Sequence, residues 1–265
     1  MPLSAAFVCA VVFCYLGVYV VLRRIVFVSV ALTQVGAAGV ALGLWLNWAP
    51  SALGFASIFL AVLALPLLQQ ERRLHQESFL GAVYTAASSL ALIFVAQSPA
   101  EEAHLHHILF GELLTVSPLL VAEMAVIAVL VLVFHLVFFK EILLISFDPD
   151  FASSLGLKAR TLDLFFYLSL GLTIAVGVRV AGALVVFAYL VLPPLTALLV
   201  CQRMVWVFVF SIAIGLFCSA VALYLSFYHL NLPSGPLTAA CCALPLLTAA
   251  LYLLVKRSQP VRHSS

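Results

Sequence analysis

A chain of 265 residues that is 66% hydrophobic and only 8% charged, with a mean hydropathy of +1.25, cannot cover itself with the polar surface a soluble domain needs. The formal net charge of +2 is too small to imply a nucleic-acid partner, and the few basic residues serve better as topology markers. The chain therefore belongs in a bilayer.

A spanning helix needs roughly 20 mostly apolar residues. Such stretches occur in order at 3–22, 25–46, 51–68, 78–96, 117–139, 162–178, 180–200, 204–228 and 235–255. Lipid offers backbone groups no other partner, which makes these segments helices, and no alternating strands of a membrane barrel are present. The expected fold is an all-α polytopic membrane protein of eight or nine transmembrane helices in one domain over 1–265. The first segment has no basic residue before it and Arg23 and Arg24 after it, the reverse of a secretory signal, and is expected to be retained. Cys9, Cys14, Cys201, Cys218, Cys241 and Cys242 lie in apolar segments without a C-x-x-C pair and read as small buried hydrophobes.

Lys and Arg mark cytoplasmic loops. Arg23 and Arg24 follow the first segment, Arg72 and Arg73 the third, Lys140, Lys158 and Arg160 the fifth, Arg203 the seventh, and Lys256, Arg257 and Arg262 the ninth. Every second loop is basic, which places the N-terminus outside and the C-terminus in the cytoplasm. Arg179 is the exception, assigned to a tight turn between segments six and seven.

The polar island SFDPDFASSLGLKAR at 146–160 then faces the cytoplasm. Asp148 suits an N-cap, Pro149 the first helical position, Asp150 the first turn, and Gly156 a stop, so a short helix is predicted here. Phe151 and Leu155, four apart, share one face of it. That face rests on the membrane interface or on the protein's own helix ends, or it docks a partner.

The stretches KEILLISFDPDFASSLGLKARTLD (140–163) and VGVRVAGALVVFAYLVLPPLTALLV (176–200) closely resemble the permease subunits of zinc/manganese/iron ABC transporters. GVYVVLRRIVFVSVALTQVGAAGVALG (17–43), ILFGELLTVS (108–117) and LNLPSGP (230–236) fall in that family's order and spacing. The resemblance implies a homodimer in the plasma membrane (inner membrane of a bacterium), a separate cytoplasmic ATPase subunit carrying the ATP, and an extracytoplasmic solute-binding protein. It implies that a divalent metal is the transported substrate and that this chain binds no cofactor of its own. Phe147, Asp148, Pro149, Asp150, Phe151, Leu155 and Gly156 match the segment inserted into the ATPase, and the chain has no G-x-x-x-x-G-K-[ST] loop. Alternating access is the implied mechanism. Gly39 and Gly43 permit close helix approach, whether for gating or for ordinary packing. Pro193 and Pro194 suggest a kink, and Arg179 matches a basic residue common in relatives, with helix carbonyls, Asp163 or Glu123 as its partner.

Relatives usually carry a pattern like D-A-L-S-H on the second segment. Here Val30, Ala31, Leu32, Thr33 and Gln34 stand there, so both ionisable ligands are replaced. Gln34 offers an amide oxygen suited to a partly hydrated ion, and the Thr33–Gln34 pair faces either the pathway or a neighbouring helix. EEAHLHHILFGE at 101–112 supplies His104, His106, His107 and Glu112, with Glu101 and Glu102. Imidazole and carboxylate form a plausible first-row metal set, but the loop serves equally as a docking surface for a binding protein or has no special role. Glu123, His135 and His229 are lesser candidates. No catalytic or nucleotide fingerprint points to an enzyme. The rivals to metal import are the same ATPase-driven architecture with a chelate or non-metal cargo, and a non-transporting membrane scaffold or sensor.

Overall fold

Long apolar segments with no external partner for their N–H and C=O groups fold as helices, and the computed structural model contains eleven of them among its described residues, 2–68, 76–98, 116–230 and 233–258. They are α1 (Pro2–Leu22), α2 (Val26–Trp45), α3 (Pro50–Leu68), α4 (Gln76–Ala96), α5 (Pro118–Val137), α6 (Phe139–Phe147), α7 (Pro149–Ser154), α8 (Ala159–Ala181), α9 (Ala183–Val200), α10 (Met204–Leu225) and α11 (Ser234–Ser258). A π-helical turn, Ser226–Leu230, extends α10. Eight helices are long and apolar enough to span a membrane, and α3 supplies a shorter apolar stretch, Pro50–Ala64. The nine predicted segments are all present.

α1 forms the axis of the bundle. It carries no charge, is buried along most of its length, and packs on α5, α8, α9 and α10. α2 gathers α3 and α4 on one flank and meets α8 and α9 on the other. By contrast α5 and α11 turn rows such as Val129, Val133 and Leu136 or Leu244, Leu247 and Leu251 outward, the apolar faces a helix presents to lipid.

Since lipid is as apolar as leucine, close packing and interhelical hydrogen bonds must hold such helices together. Ser211 of α10 donates to the Cys14 carbonyl of α1 at 3.0 Å, Ser57 of α3 to the Val35 carbonyl of α2 at 3.1 Å, and the Tyr189 and Ser219 hydroxyls of α9 and α10 pair at 2.6 Å. Gly39 belongs to this contact set: a Cβ there would lie 2.7 Å from the Leu53 carbonyl oxygen and run into Ser57. Gly43 makes room for Pro50 in the same way, so both glycines serve the approach of α3 to α2.

One expectation is corrected. Arg179 does not lie in a tight turn, because α8 continues through it to Ala181 and the reversal is made at Gly182, whose φ of 82° is open to glycine. α9 runs uninterrupted through Pro193 and Pro194, both buried. One element was not foreseen. After α5 the chain turns at Phe138 and starts a separate nine-residue helix, α6, before the island.

The island folds from its own residues. Asp148 accepts the Phe151 N–H at 2.9 Å, with Pro149 at the first helical position. At the other end Leu157 N donates to the Ala152 carbonyl and Gly156 N to that of Ser153, a paired closure that needs the left-handed φ of 81° at Gly156. Asp148→Ala is expected to destabilise α7 by about 1 kcal/mol, read as roughly fivefold faster hydrogen exchange at the Phe151 amide.

Candidate functional site

Two places concentrate what the apolar bundle otherwise lacks. The first is α7. Ala152 is fully buried and seats the helix, which packs on α6 and α8. Phe147, Phe151 and Leu155 are 57%, 52% and 59% exposed, and Asp150 is exposed beside them. Three large apolar side chains thus surround a six-residue helix and stay open to the outside.

The second is a cleft of about 400 Å³ between α2, α4 and α9, bordered by Thr33, Gln34, Tyr84, Ser88 and Phe187. Thr33 is buried and donates to the Val30 carbonyl of its own helix at 2.7 Å, which occupies its proton. The Gln34 Oε1 and Ser88 Oγ atoms are buried without a hydrogen-bond partner. An unmatched polar atom in an apolar setting costs about 1–3 kcal/mol, so these two oxygens are the cleft's available ligands. Both are neutral and hard. Among the described residues no group of three His, Cys, Asp or Glu side chains could hold a metal. His104, His106, His107 and Glu112 lie outside the described residues.

Two ion pairs tie charged residues into the ends of the bundle. Arg179 Nη1 donates to Glu123 Oε2 at 3.2 Å, joining α8 to α5, which selects one of its expected partners. Asp163 pairs with Arg23 instead, at 2.6 Å. These pairs sit 16 residues apart on α8, about 24 Å along the helix, and so mark its opposite ends. His135 does not reach the interface. It is fully buried among Tyr15, Tyr19 and Phe166, with Nδ1 bonded to the Val131 carbonyl at 2.9 Å. Since that carbonyl can only accept, Nδ1 carries the proton. Sequence reasoning reached Thr33 and Gln34 but missed Ser88 and Tyr84 on α4, whose register against α2 no local pattern discloses.

The model of the ABC 3 transport family matches residues 2–253. This chain belongs to the ABC 3 transport family. Within it, the chain is 31% identical to a probable iron transport system membrane protein of Haemophilus influenzae, covering 98% of this chain and 92% of that one. It is 28% identical to the manganese transport system membrane protein MntC of Listeria innocua, over 89% of this chain and 84% of the other. The fold agrees with a solved structure, PsaBC from Streptococcus pneumoniae in complex with Fab. That match has a TM-score of 0.84 at 22% identity, over 96% of this chain and 94% of that chain. As a member of an ABC transport family the chain is a membrane permease, and among its described residues the α6–α7–α8 elbow presents uncovered apolar side chains and the α2–α4–α9 cleft presents unpaired polar oxygens.

Proposed function

We propose that this permease drives import of a divalent metal cation, as one transmembrane domain in a homodimer working by alternating access, with ATP hydrolysed by a separate cytoplasmic subunit. The observation that carries the reading is α7, a capped helix whose Phe147, Phe151 and Leu155 side chains are uncovered. A partner that inserts this helix buries that apolar area and gains leverage on α6 and α8. The chain has no phosphate loop, so the energy source must be that partner. Arg23 contacts α6 and α8, which puts the α1–α2 turn and the elbow at one end of the bundle. Lys140, Lys158 and Arg160 join the basic set there, which makes this end cytoplasmic in a bacterial inner membrane, with the N-terminus outside. The solute-binding protein docks at the opposite end, where 97–116 connects α4 to α5.

Relatives named for iron and manganese transport supply the cargo class. The cleft narrows it. Gln34 and Ser88 offer neutral oxygen, which suits manganese or another hard, partly hydrated cation and competes poorly for zinc, which prefers imidazole and thiolate. A chelated cation is favoured by the same observation, since a neutral cleft need not strip its ligands.

The test is uptake of isotopic zinc, manganese and iron into vesicles holding the complete complex. Gln34→Ala is expected to lower manganese uptake about tenfold, the worth of one lost charge-assisted ligand contact. Unchanged uptake in His104→Ala/His107→Ala would remove the outer cluster from the cargo route. If no cation stimulates ATP hydrolysis in an assembled complex, transport is wrong and a scaffold role takes its place.

A further inference from the structure

Neither the docking helix nor the cleft accounts for Arg23. It sits just past the end of α1, and its charged side chain is only 8% exposed. The guanidinium is held from several directions at once: Nη1 donates to Asp163 Oδ1 at 2.6 Å, Nε to Ser146 Oγ at 2.8 Å and Nη2 to the Ile142 carbonyl at 3.5 Å. Its Cζ lies 4.0 Å above the Phe166 ring. Ser146 is itself fixed by donating to the Ile142 carbonyl at 2.5 Å.

Those partners are not scattered. Ile142 and Ser146 belong to α6, and Asp163 and Phe166 to α8, the two helices that flank α7 on either side. A single side chain therefore joins both arms of the docking elbow to the corner from which α2 departs. That corner is tightly set. The Ile25 N–H returns to the Val20 carbonyl at 3.0 Å, and Arg24 takes a left-handed φ of 58°, a conformation a non-glycine residue keeps only where its surroundings impose it. α2 begins at Val26 and carries Gln34 to the cleft. Arginine suits this duty because its planar fork presents several donors in a fixed geometry, whereas lysine has one flexible ammonium.

We propose that Arg23 is the positioning residue that couples the docking elbow to α2: displacement of α7 passes through α6 and α8 to the guanidinium, and from it to the helix that bears Gln34. Arg23 touches neither cargo nor ATPase. The inference rests on the transporter reading above, since only a partner that moves α7 gives the latch something to transmit.

The test is the ratio of Mn²⁺ taken up to ATP hydrolysed by the full complex of permease, ATPase and binding protein in vesicles. Arg23→Ala and Asp163→Asn are expected to keep the ATPase subunit bound and hydrolysing while the ratio falls about tenfold. Arg23→Lys, which retains the pair with Asp163 but cannot span Ser146 and Ile142 as well, should fall between. Asp163 is about a third exposed, so its isosteric amide decides the matter if Arg23→Ala fails to assemble. An unchanged ratio in Asp163→Asn, or uptake and hydrolysis falling together as they would for a merely structural residue, overturns the latch. A wild-type complex that neither hydrolyses ATP nor takes up Mn²⁺ overturns the transporter reading and the latch with it. A transporting wild type whose Asp163→Asn variant keeps its ratio overturns the latch alone.

Discussion

Replacing Phe151 with aspartate is expected to strip the ATPase subunit from the permease while the helical bundle stays folded. Phe151 is 52% exposed, so it contributes little to the seat of α7, which depends on the fully buried Ala152. The cap is also spared, because Asp148 bonds the backbone N–H at 151 and not its side chain. In the complex the case is different. Covering the exposed half of the Phe151 side chain is worth roughly 1–1.5 kcal/mol, and a buried aromatic hot spot at an interface costs at least about 2 kcal/mol when truncated. A carboxylate at the same spot adds its own desolvation penalty. The affinity should therefore drop by at least about 30-fold, enough to lose the subunit during purification in detergent. Elution of the two proteins together at wild-type affinity would refute docking through this helix.

How much of this was written in local sequence differs from feature to feature. The spans were legible because each is a run of apolar residues long enough to cross a bilayer, and the observed ends fall close to the expected ones, as for α4 at Gln76–Ala96 against 78–96. α7 was legible because Asp148, Pro149 and Gly156 act on their own backbone, and such signals do not depend on tertiary structure. Thr33 and Gln34 stood out as polar residues inside an apolar run. What escaped is what depends on register between distant helices. Arg23 was visible only as a topology marker, since its ties to Ser146 and Asp163 reach across 123 and 140 residues of sequence. Ser88 sits in α4 among alanines and another serine, and nothing in that stretch tells which hydroxyl turns toward the cleft. The separate α6 was hidden because the turn at Phe138 falls inside the apolar run, which ends only at Phe139, and carries no glycine or proline.

The largest effect on stability is expected from Gly17→Val, at the crossing of α1 and α9. Pro193 and Pro194 have no N–H, so the carbonyls of Tyr189 and Leu190 lose their donors one helical turn later. The Leu190 carbonyl is not left facing apolar side chains. It points at Gly17, where a Cβ would collide with that oxygen and lie 2.7 Å from the Pro194 Cγ and 2.8 Å from the Leu190 carbonyl carbon. Only glycine leaves room for that carbonyl against the α1 backbone. Two of the atoms in the way belong to backbone and the third to a closed ring, so none can rotate aside. Overpacking of this kind costs about 1–3 kcal/mol for a single added group and more for a branched one. α1 is the axis on which six other helices pack, and separating it from α9 loosens the whole bundle. In detergent the variant should lose its monodisperse peak or melt well below the wild type. Gly81→Ala provides the matched control: nothing lies within 4 Å of a Cβ there, and alanine in a helix interior gains about 1 kcal/mol over glycine. If Gly17→Val melts with the wild type, the close approach of α1 and α9 is not a determinant of this fold.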